Sequence, residues 1–152
     1  MLPLEEGQRL INMPTLSRWF IKAGMIYFVL ALLLAIGLKV QSGFTFFNFL
    51  AYFTPVYYHL LLLGWITQII MGVSHWMFPR YSKEKPRGNE TTGWLAFACL
   101  NLGLILRIFS EPFALSDAST LLIYIVISSA ILQWVAGIFY VFHIWGRIKE
   151  KA

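Results

Sequence analysis

Four long apolar stretches divide this chain, separated by short polar or charged turns, and each is about as long as a helix that crosses a lipid bilayer. A crossing takes about 20 helical residues. Residues 16–38, 55–78, 92–110 and 119–145 meet that length. The chain has 152 residues, of which 59% are hydrophobic and 12% charged. Soluble domains carry about 25% charged residues. The expectation is an all-α polytopic membrane protein, a four-transmembrane-helix bundle filling residues 1–152 as one membrane domain.

Local signals place the helix ends. The first segment follows Pro14 and Thr15. Thr54 is positioned to cap the second, and Pro55 suits a first helical position because its missing N–H costs nothing there. Pro112 reads as the end of the third segment. Asp117 or Ser119 reads as the cap of the fourth. The first apolar run starts late and lacks a small-residue cleavage site, so it reads as a retained helix rather than a signal peptide.

The net charge of +5 reports orientation, not nucleic-acid binding, because the charges cluster between apolar segments. Arg9, Arg18 and Lys22 precede or enter the first segment. Arg80, Lys83, Lys85 and Arg87 lie between the second and third. Arg147, Lys149 and Lys151 follow the fourth. If the helices alternate, all three groups share one side. The positive-inside rule puts both termini in the cytoplasm. Trp19, Trp76, Trp94 and Trp145 fall near that boundary, as an interfacial aromatic belt does. On the other side lie Lys39, Glu111 and Asp117. The apolar loop after Lys39, VQSGFTFFNFLAYF, is too short to span again and reads as an interfacial segment or one packed over a partner.

The polar residues inside these segments are the informative ones. In the second segment, Gly64, Gln68, Gly72 and His75 recur at helical spacing, a small-residue seam for close helix packing. On an α-helical wheel His59 lies about 160° from His75. It therefore faces away from the seam, toward another neighbour, a cofactor or a second copy. Two readings of His59 stand: a histidine bonded to a carbonyl or interfacial water, or an axial heme or metal ligand. Arg107 lies in the outer half of the third segment, with Glu111 at i+4. It reads either as an arginine tied to Glu111 or as a guanidinium holding an anion such as a heme propionate or a quinone oxygen. His59 and Arg107 share a leaflet, so they could serve one site.

His75 reads as a hydrogen-bonding group within the seam. A His75–His143 ligand pair is conceivable because both helices run the same way, but counting from the outer ends puts His143 several ångströms deeper than His75, so His143 reads more simply as an interfacial histidine beside Trp145. The lone cysteine, Cys99, reads as a small core residue. Asn101, Gln133, Ser128 and Ser129 read as interhelical glue.

Residues 57–80, with His59, Gly72, Trp76 and Pro79 in order, resemble the second transmembrane helix of the heme–copper oxidase superfamily. That superfamily comprises the cytochrome oxidases and nitric oxide reductases, and the spacing here is nearer the nitric oxide reductase form. The resemblance implies that His59 is an axial ligand of a low-spin heme b iron. Arg107 is then a candidate propionate clamp. The family's catalytic subunit has about twelve helices, and its other heme and copper histidines come from helices absent here. Three histidines cannot supply that set, so this chain is not by itself an oxygen or nitric oxide reductase. The resemblance implies a heme b protein of a prokaryotic cytoplasmic membrane, acting in respiratory electron transfer or in heme or gas sensing. A twofold homodimer could supply His59 from each copy to one heme. The alternative is a small subunit or assembly partner of a respiratory complex, without a cofactor of its own.

Overall fold

The computed structural model describes residues 13–41, 43, 45–79, 89–116 and 119–148. Arg9, Arg80, Lys83, Lys85, Arg87, Asp117, Lys149 and Lys151, used above for orientation and capping, lie outside them. Among the described residues there are helices and no strand. Four of the helical runs are long and apolar enough to cross a membrane.

Helix α1 covers Thr15–Gln41. A 3-10 helix, Thr45–Phe53, leads directly into α2, Thr54–His59. A π-helical stretch, Leu60–Thr67, follows, and then α3, Gln68–Met77. From Asn48 to Met77 these pieces form one continuous run, long and apolar enough for a second crossing. Helix α4 covers Glu90–Ser116 and α5 covers Thr120–Trp145. The helices alternate in direction, so both ends of the described chain lie at one end of the bundle. We call this the terminal end, and the opposite one the far end.

The bundle is polar inside and apolar outside. Ile26, Ile70, Phe109, Leu121 and Phe142 are exposed, while Ser17, Gln68, His75, Arg107 and Ser129 are buried. In water such a surface would drive aggregation. In hydrocarbon it is the stable arrangement, because polar groups find partners only within the protein.

Close approach comes from glycine. A Cβ on Gly64 would stand 2.8 Å from the Cβ of Tyr27, and one on Gly72 would stand 3.0 Å from the Cβ of Phe20. These glycines of the seam pack against α1, as their spacing predicts. Helices α4 and α5 pair along most of their length. Gly103 lets the Ser129 hydroxyl donate to its carbonyl at 2.8 Å.

The first and third crossings extend beyond their expected ends, the second run begins earlier, and the fourth keeps to its expected bounds. Helix α4 continues through Pro112 to Ser116, although Pro112 reads as a stop in the sequence. Pro112 is buried, and the Arg107–Glu111 pair spans the turn before it at 2.8 Å. Packing and that pair hold the turn that proline alone would break. Thr54 does not cap α2. Its hydroxyl donates back to Ala51 O at 2.8 Å, because the chain arrives already helical and leaves no free turn to cap. Ser119 caps α5, accepting from the Leu122 N–H. The apolar loop after Lys39 becomes the 3-10 helix, which packs on α1 and α4. Phe49 stands 6.0 Å from Phe113 there, centroid to centroid.

Candidate functional site

The polar side chains gather at three levels of the bundle. At the far end, His59 closes α2 and the π-helical stretch begins at the next residue. Its Nδ1 donates to Pro55 O, one turn back, at 2.8 Å. A carbonyl only accepts, so Nδ1 carries a proton, and in the neutral ring the lone pair is then on Nε2. The His59 side chain is 29% exposed, flanked by exposed Tyr58 and Leu62. It therefore borders the outer flank of the bundle.

Glu111 of α4 stands beside it. Its Oε2 is 3.8 Å from His59 Nδ1, and its Oε1 accepts from Arg107 Nη1 at 2.8 Å. Arg107 Nε donates to Ser129 Oγ at 3.2 Å. Gln133 Nε2 donates to the same oxygen. The expectation that His59 and Arg107 share a leaflet holds, and Glu111 is the group that joins them. Arg107 is the counter-charge of that carboxylate and is nearly buried, a geometry in which two of its nitrogens already serve its own chain.

The π-helical stretch changes where His59 faces. A π-helix turns less per residue than an α-helix, and the Thr67 hydroxyl reaches back five residues to Leu62 O. An α-helical wheel drawn across it therefore misplaces His59 relative to His75. Gln68 and Asn101 exchange side-chain hydrogen bonds at 3.3 Å between the second crossing and α4. His59 faces α4 as well, while the seam glycines face α1.

At the terminal end the structure departs most from expectation. His143 is buried within the bundle. Its Nδ1 donates to Asn89 O at 3.0 Å, and its Nε2 meets His75 Nδ1 at 2.8 Å. The rings stack with centroids 4.9 Å apart. Counting from the far ends assumed an unbroken α-helical rise, which the 3-10 and π-helical stretches of the second crossing do not keep. Counted from the other ends the two agree: each histidine lies two residues before the last residue of its helix.

Arg147, just past α5, completes this cluster at 2% exposure. Its Nε donates to Pro79 O at 3.0 Å and its Nη2 to Phe78 O at 2.8 Å. Its Nη1 lies 3.4 Å from His75 Nδ1. These carbonyls follow the end of α3, where backbone acceptors lack helical partners. One turn deeper, the Tyr140 hydroxyl donates to Met71 O at 2.8 Å and touches Ser74 Oγ. Gly93 makes room for the His143 ring, since a Cβ there would stand 3.3 Å from it.

Sequence reasoning missed Glu111 as a partner of His59, and Arg147 as a buried clasp. A helix drawn through Pro112 would have placed Glu111 at the level of His59. For Arg147 the signal is its i+4 spacing from His143. Among the described residues, no three His, Cys, Asp or Glu side chains gather as metal ligands. No family model, curated protein or solved structure matches this chain.

Proposed function

We propose that this is a multi-pass protein of a prokaryotic cytoplasmic membrane, with its terminal end in the cytoplasm, that binds heme b at the far end through His59 Nε2. Its role would be electron transfer or heme or gas sensing, short of a complete oxidase. The observation that carries this reading is the hydrogen bond from His59 Nδ1 to Pro55 O at 2.8 Å. It puts a ring proton on Nδ1, which in the neutral tautomer leaves the Nε2 lone pair available, on a side chain that reaches the flank of the bundle. Axial histidines are held in this way, with the second nitrogen donating to a carbonyl or carboxylate.

The exposed apolar helix faces support the membrane assignment, and the Lys and Arg distribution supports the orientation. The heme, when bound, supplies a one-electron couple or a gas-binding iron. The chain's residues hold and orient it. Because His59 lies at the flank, His59 of a second copy would help to hold the heme. Arg107 enters this reading as the counter-ion of Glu111 rather than as a propionate clamp.

The test is an optical spectrum of detergent-purified protein after heme supplementation. A reduced-minus-oxidised low-spin b spectrum that disappears in His59→Ala supports the reading. A colourless protein that co-purifies with respiratory subunits sinks it and supports the cofactor-free subunit instead.

A further inference from the structure

Glu111 Oε2 is buried and has no hydrogen-bond partner among the described residues. A buried carboxylate oxygen without a partner costs about 1–3 kcal/mol or more. The ionisable group within reach of it is the Nδ1 of His59, at 3.8 Å. Its other oxygen is pinned by Arg107 at 2.8 Å, so the carboxylate cannot rotate to a better partner without giving up that pair. The bundle thus keeps a fixed negative charge behind His59. The Pro55 carbonyl holds the ring, and the carboxylate adds a field.

We propose that Glu111 is a positioning residue for His59: held in place by Arg107, it makes the imidazole a stronger donor and lowers the reduction potential of the heme that His59 binds. This rests on the heme reading above. A carboxylate behind a ligating histidine raises ligand basicity. It also stabilises the oxidised iron, which carries one more positive charge than the reduced. Arg107 carries the opposite charge, so the two act on the heme with opposite signs, and the carboxylate that stands 3.8 Å from the His59 ring outweighs its counter-ion.

The experiment is a potentiometric titration of heme-loaded wild type, Glu111→Gln and Arg107→Gln. In Glu111→Gln the ferrous-to-ferric ratio at fixed ambient potential rises about tenfold, or about 59 mV. In Arg107→Gln it falls. Unchanged potentials, or shifts of the same sign in both variants, overturn the proposal. A purely structural role predicts weaker heme retention without this sign reversal. Should either single variant fail to fold for want of its counter-charge, the double variant R107Q/E111Q replaces the buried ion pair with neutral amides. It is expected to shift upward by less than Glu111→Gln alone, and an unshifted double variant also overturns the proposal. A wild type that takes up no heme removes both readings. A heme-loaded wild type whose potential ignores Glu111 removes only this one.

Discussion

The two ends of the bundle use similar side chains in opposite ways. Both pair a histidine with a backbone carbonyl and a nearly buried arginine. At the terminal end these groups turn inward: His143 uses both ring nitrogens, on Asn89 O and His75, and Arg147 ties α5 to the exit of α3. At the far end the histidine stands at the flank with Nε2 outside its hydrogen bond to Pro55, and a carboxylate oxygen lies behind it. The first arrangement locks segments together. The second leaves a ligand position. Two histidines in one crossing thus acquire different roles from their neighbours alone.

That contrast predicts a graded set of outcomes. The largest loss of stability is expected from Glu111→Ala, which strands the buried Arg107 charge. Breaking one partner of such a pair costs about 3–5 kcal/mol, readable by detergent-denaturant unfolding followed through tryptophan fluorescence. His143→Ala comes next, at about 1–3 kcal/mol, because it leaves Asn89 O and His75 Nδ1 without their bonds. If it unfolds no more readily than wild type, the terminal cluster is not a lock. Gly64→Ala should cost a similar about 1–3 kcal/mol, since the new methyl meets Tyr27 near its backbone. Gln68→Ala should cost only about 0.6 kcal/mol, the usual size of an interhelical hydrogen bond in a membrane. His59→Ala belongs at the bottom of this stability series, at about 0.5 kcal/mol for one bond to a carbonyl at a partly exposed site, and on the heme proposal it also removes the low-spin spectrum. A large stability loss in His59→Ala would erase the distinction between the two ends.

Much of the architecture was legible in the sequence. Spans, alternation and the glycine seam follow from hydropathy and spacing, which depend on composition averaged over many residues. The ends and the partners depend on single residues, and there local rules competed. Pro112 carries the signature of a helix stop, yet burial and the Arg107–Glu111 pair carry α4 past it, and with it goes the meaning of Glu111. The π-helical stretch has no sequence signature in its apolar run LLLLGWIT, so the wheel position of His59 could not be read across it. Arg147 has the same appearance as any cation flanking a span. Only the three-dimensional structure separates a charge that sets orientation from one that closes a helix end.

The clasp at Arg147 also bears on how the molecule comes to be built. Phe78 and Pro79 are made 69 and 68 residues before the arginine that will bind their carbonyls. Through all of that synthesis the exit of the second crossing waits without its clasp. It is secured only when the fourth segment has entered and its trailing arginine emerges, so the chain's last described turn completes the assembly of its middle.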